Sequence, residues 1–114
     1  MRANHHAIYV ETAPTERSGL KYHVTGTVMR GMVFEVKEVS DLEISASFVD
    51  KRLLGRVKMT DLQRLEEVCR SIDPPPRQYD DRLRLINPGV PTYHCQHWTR
   101  DALQALRETG VIQE

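Results

Sequence analysis

The sequence predicts a single α+β domain, an antiparallel sheet of about four to five strands with two main helices packed on it. Three observations predict it. The chain has 114 residues, enough for one core and too few for two. Its first half carries β-branched and aromatic residues in short stretches separated by glycine and proline turn signals. Its second half changes to apolar residues recurring at three- and four-residue steps, the pattern of a helix with one buried stripe.

Residues 5–12, His5-His6-Ala7-Ile8-Tyr9-Val10-Glu11-Thr12, read as the first strand. Ala13 to Gly19, with Pro14, is a loop, and strand character resumes over residues 20–29. Arg30-Gly31 is a turn signal ahead of a third strand, Met32 to Lys37. Residues 44–58, with Ile44, Phe48, Leu53, Leu54 and Val57, predict one or two more strands, with Gly55 as a bulge or bend. Thr60 and Gln63 have the spacing of a capping box and open a helix whose stripe is Leu62, Leu65, Cys69 and Ile72, with Val68 beside it. Asp73 and Pro74-Pro75-Pro76 end that helix, because proline lacks an amide donor and clashes with the preceding turn. Residues 74–91 hold five of the six prolines and form a surface loop long enough to carry function. Pro91 and Thr92, the latter as N-cap, introduce a second helix with the stripe Cys95, Trp98, Ala102 and Leu106, flanked by Leu103 and Ala105 and stopped at Gly110.

Composition narrows the function classes. Sixteen Lys and Arg balance sixteen Asp and Glu, so the basic surplus that coats nucleic acid or an anionic membrane is missing and no nucleic-acid partner is expected. The apolar runs are a few residues long against the roughly 20 that cross a bilayer, so no integral membrane association is expected. The opening residues lack a signal-peptide core, and two cysteines are too few for the disulfide framework of a small secreted domain. These features point to a cytoplasmic protein with free thiols. With 39% apolar residues and a mean hydropathy of −0.51 the core is lean, and a homodimer would relieve that.

Cys95 is the first candidate for chemistry. With Thr92 as N-cap it falls in the first helical turn, where backbone amides and the positive end of the helix dipole favour a thiolate nucleophile. Its other reading is an ordinary small buried side chain. Cys69 lies mid-helix and reads as core. A cysteine nucleophile needs an imidazole base and a group that fixes the base's tautomer. If the first hairpin turns near Pro14, His5 lies opposite His23 on one sheet face and His6 points to the other. A register slip of one residue exchanges His5 for His6. His94 and His97 flank Cys95 along one edge of the helix. A metal site built from His94, Cys95, His97 and His5 lacks the paired spacings and four ligands of structural zinc, so no metal is assigned and no cofactor is implied.

These residues resemble a known family. His5-His6-Ala7-Ile8-Tyr9-Val10 is similar to the His-Trp-Ala-Ile-Tyr-Val-Gly strand of lecithin:retinol acyltransferase-like proteins, and Tyr22-His23-Val24 resembles their second histidine strand. His94-Cys95-Gln96-His97-Trp98 resembles their Asn-Cys-Glu-His-Phe motif. The order, two histidine strands and then a late cysteine on a helix, is that of circularly permuted NlpC-type papain-like folds. The same pattern resembles a group of small uncharacterised fungal proteins. The motifs cover roughly residues 4–35 and 92–110. The sequence departs from the pattern at His6, Glu11 and His94, which stand for tryptophan, glycine and asparagine, and in a longer loop between the histidine strands.

The resemblance implies one permuted papain-like domain over residues 1–114, with Cys95 as nucleophile, His5 as base and His23 as the residue that orients it. His6, His94, His97 and Tyr93 are second candidates for catalysis or substrate binding. The expected function is cysteine-dependent acyl transfer (an amidase, peptidase-like hydrolase or acyltransferase) on a small-molecule or peptide acyl substrate through a thioester. The alternatives are a catalytically silent binding module of the same fold and a His/Cys metal-binding domain.

Overall fold

The computed structural model describes residues 6–13, 18–27, 29–40 and 55–113. Strands β1 (Ile8–Ala13), β2 (Ser18–Thr27) and β3 (Gly31–Val39) form an antiparallel sheet in that order. Strand alternation sorts the side chains. Ile8, Val10, Leu20, Tyr22, Val24, Phe34 and Val36 share the face that joins the hydrophobic core, while Tyr9, Lys21, His23, Glu35 and Lys37 take the other. On β3 the alternation of Phe34 and Val36 with Glu35 and Lys37 leaves those two charged residues exposed.

The first hairpin differs from expectation in register. The ladder runs Ile8↔Tyr22 to Glu11↔Gly19, then shifts to Ala13↔Ser18 across a bulge at Thr12. The connection is therefore centred later than Pro14, and position 7, rather than His5, continues the ladder opposite His23. Gly19 is required here because a Cβ would run into the Val10 carbonyl oxygen. The β2–β3 connection closes with Arg30 N–H donating to Thr27 O at 3.2 Å, and Gly31 adopts φ +90°.

A 3₁₀ turn at Met59–Asp61 leads into α1 (Leu62–Ser71), which buries Leu65 and Cys69. Thr60 lies inside that turn and the N-cap is Asp61, so the Thr60–Gln63 capping box does not form; Gln63 bonds Glu67 instead at 3.4 Å. The 3₁₀ turn satisfies the first amides by tighter local bonding, as Asp61 N–H to Lys58 O at 2.8 Å shows. Pro74 excludes helical geometry from Asp73, and Ile72 is already extended at ψ 116°.

Helix α2 (Cys95–Glu108) buries Trp98, Thr99, Ala102 and Leu106. Its end is the expected glycine stop in full. Gly110 adopts φ +74°, its N–H donates to Arg107 O at 3.1 Å, and Val111 N–H donates to Leu106 O at 3.0 Å while both side chains are buried. Trp98 sits at the centre of the core. Its indole N–H donates to Ile72 O at 3.0 Å, tying α2 to the end of α1, and its ring lies 5.6 Å from that of Phe34. Arg56 and Gln113 exchange both backbone bonds at 2.7 Å, joining the segment before α1 to the residues after α2. Gly55 permits that approach, since a Cβ would come within 2.7 Å of Gln113 O.

The architecture is mixed α+β. The described residues contain three strands; of the 44–58 stretch expected to hold one or two more, residues 44–54 lie outside them and residues 55–58 contribute one bridge at Arg56 rather than a strand. Among the described residues no helix is long and apolar enough to cross a membrane.

Candidate functional site

The long loop before α2 is ordered by its own polar groups. Asp80 accepts the N–H groups of Arg82 and Arg84 on one carboxylate oxygen, both at 2.9 Å, and donates its own N–H to Arg84 O at 2.8 Å. Ile86 N–H donates to Gln78 O at 2.9 Å. From this base the Gln78 side chain reaches across to Tyr93. Its Oε1 accepts Tyr93 N–H at 2.6 Å, and its Nε2 donates to Tyr93 O at 2.7 Å and to Pro76 O at 3.1 Å. One amide side chain thus supplies both partners of a backbone residue, as a neighbouring strand would.

Two residues on, α2 begins. The N-cap is His94 (φ −115°, ψ 176°) and not Thr92, so Cys95 is the first helical residue. The cap is built from imidazoles. His94 N–H donates to Nδ1 of His97 at 2.9 Å, the place a Glu or Gln fills in the usual capping box. An Nδ1 that accepts carries no proton, so the neutral His97 ring holds its proton on Nε2. His94 Nε2 lies 3.0 Å from Thr92 Oγ1, which draws Thr92 into holding the cap. The Tyr93 and His97 rings stack at 5.7 Å, and the Tyr93 hydroxyl donates to Asp101 Oδ2 at 2.6 Å. Burial, then the bond to Asp101, pushes the Tyr93 hydroxyl well above the ordinary phenol range. Tyr93 therefore serves as a proton donor to Asp101 and not as a base.

The two thiols differ. Cys69 is fully buried, and burial, with Glu66 adding to it, pushes its thiol up to about 12. Cys95 is half-buried, packs against the edge of the core and accepts the Thr99 hydroxyl on its carbonyl at 2.9 Å. Cys95 begins its helix, whereas Cys69 lies in the last turn of α1 within the core.

The histidines are distributed more widely than expected. His5 lies outside the described residues. His6 is exposed, two residues ahead of β1. His23 is almost completely buried and belongs to the sheet face opposite Tyr22 and Val24. Those two residues, not His23, join the core beneath α2, so the structure does not bring His23 to Cys95. His23 instead meets Glu35, its direct cross-strand partner, with Nε2 3.0 Å from Oε1. Burial lowers its affinity for a proton, and the Glu35 bond opposes that.

Sequence reasoning missed two residues. Glu35 was not legible from the turn signal: a turn centred on Arg30-Gly31 would pair position 23 with position 38, whereas the ladder is centred on position 29 and pairs His23 with Glu35. Gln78 carries no sequence signal, since its partner is a backbone fifteen residues away. Among the described residues no three His, Cys, Asp or Glu side chains converge as metal ligands would.

No curated protein and no solved structure matches the chain. A protein family described as being of unknown function, DUF6540, matches residues 1–113, almost the whole sequence, and the chain belongs to that family.

Proposed function

We propose that the protein is a cysteine-dependent acyl-transfer enzyme, an amidase, peptidase-like hydrolase or acyltransferase, with a permuted papain-like arrangement of its elements. The observation that carries this reading is the position of Cys95: a half-buried thiol on the first residue of a fourteen-residue helix. Negative charge is favoured at a helix N-terminus, and the thioester route places it there twice, on the attacking sulfur and on the tetrahedral oxyanion. The thiol gives its proton to an imidazole and the sulfur attacks the carbonyl carbon of a small-molecule or peptide substrate. The imidazolium then protonates the leaving group, and water or another acceptor resolves the thioester. His5 is the base in this reading. His6, exposed two residues ahead of β1, is the alternative. His23 is left out of the relay because it faces away from α2 and is engaged by Glu35.

The test is turnover of p-nitrophenyl acetate with mass spectrometry of the acyl adduct. Acetylation should map to Cys95, and Cys95→Ser should abolish turnover with the far-UV circular dichroism unchanged. Either His5→Ala or His6→Ala should slow acylation about a hundredfold or more, identifying the base. A Cys95→Ser variant that keeps the wild-type rate would overturn the reading. A wild type that forms no acyl adduct and turns over no faster than buffer would overturn it too, and would favour a second reading, a binding module without catalysis, which the turned-away His23 supports.

A further inference from the structure

We infer that Gln78 is a positioning residue for Cys95, holding the backbone that delivers the thiol to the start of α2. The inference rests on the reading of Cys95 as nucleophile. Both backbone groups of Tyr93 are partly buried, and each needs a partner. An uncharged amide carries a donor and an acceptor on separate atoms of one planar group, and Gln78 uses both on that one residue at 2.6 and 2.7 Å. Gln78 is itself fixed, because its carbonyl accepts Ile86 N–H in the loop organised by Asp80. Tyr93 is therefore pinned on a rigid base, and its chain neighbour His94 is pinned again by His97. The direction in which the chain enters α2 is set by these two restraints, one before the cap and one within it. Cys95 is the next residue. Removing the first restraint lets the cap swing and the first turn fray, and the sulfur leaves the geometry that makes it reactive.

The measurement is the rate of iodoacetamide labelling at Cys95, read by mass spectrometry with Cys69 as an internal slow reference, in the wild type, Gln78→Asn and Gln78→Glu between pH 8 and pH 5. Gln78→Asn keeps the amide but is one methylene too short, and labelling of Cys95 should fall about three- to tenfold, the loss of one capping-strength restraint. Gln78→Glu at pH 8 faces the Tyr93 carbonyl with a carboxylate that cannot donate, and should be slow as well. As the pH falls its carboxyl gains a proton and regains both roles, so its rate relative to wild type should climb towards one. His94, His97 and Asp101, which surround Tyr93, are common to all three proteins, so their contribution divides out of that ratio. A simple loss of stability would not be repaired by acid. Wild-type labelling in both variants, or a ratio that stays flat with pH, would overturn the inference. Amide hydrogen exchange at residues 93–95 reads the clamp independently of the thiol. Faster exchange in Gln78→Asn with a Cys95 that is no quicker than Cys69 in the wild type would sink the acyl-transfer reading and leave the clamp standing, whereas unchanged exchange would sink the clamp.

Discussion

Replacing Gly110 by alanine isolates the backbone cost of stopping α2. The residue sits at φ +74° between two bonds that close the helix, from its own N–H to Arg107 O and from Val111 N–H to Leu106 O. A Cβ built there meets nothing within 4 Å, so no steric contact enters the comparison. An L-residue in the left-handed region costs about 1–2 kcal/mol. The stiffer unfolded chain of the alanine variant takes back roughly 0.5 kcal/mol. The net loss is about 1 kcal/mol, or about 4–6 °C in Tm for a domain of this size. Asparagine tolerates the left-handed region better and should recover about half of the loss. Thermal and urea unfolding of wild type, Gly110→Ala and Gly110→Asn give the comparison. An alanine variant as stable as wild type, or an asparagine variant no better than alanine, would show that the helix is not held by this motif. Cys95, at the other end of α2, should label at the wild-type rate in both variants below their melting range.

Two further outcomes follow from buried groups. Burial lowers the proton affinity of folded His23, so the unfolded chain takes up the proton first as the pH drops. The stability tied to this group is complete above the ordinary histidine value of 6.5 and is lost as the pH falls below it; Tm measured from pH 7.5 to pH 5 should decline less in His23→Gln than in wild type. Trp98→Phe removes the donor to Ile72 O and leaves that carbonyl without the indole, which should cost about 1–3 kcal/mol in urea unfolding; a cost below about 0.5 kcal/mol would mean the bond contributes little.

The elements whose signals are local were legible in the sequence. Gly110 announces its helix end because few other residues accept that backbone geometry, and the Leu65–Cys69 and Trp98–Ala102–Leu106 stripes announce buried faces by period alone. Register was not legible in the first hairpin. Pro14 marks a turn without fixing its centre, and the bulge at Thr12 absorbs a residue that no composition rule anticipates. The N-cap was misread for a chemical reason. Thr92 is a common cap and histidine is not, yet here an imidazole nitrogen performs the acceptor role of a glutamate. The candidate thiol was legible because its position on a helix is local. The relation between Cys95 and the strand histidines was not, since it depends on which face of β2 each residue takes, and an odd or even step decides that.

The pair of backbone hydrogen bonds between Arg56 and Gln113 makes the helical half of the described chain a closed circuit. The sheet is closed separately, by its own hairpins. The closure of each half is thus secured by contacts within that half, and among the described residues the two meet through apolar side chains and a backbone bond from Met32 N–H to Pro75 O at 2.7 Å. Parting them would peel one preassembled piece from the other along the seam of Ile8, Tyr22, Val24 and Trp98, with the ladders on both sides intact.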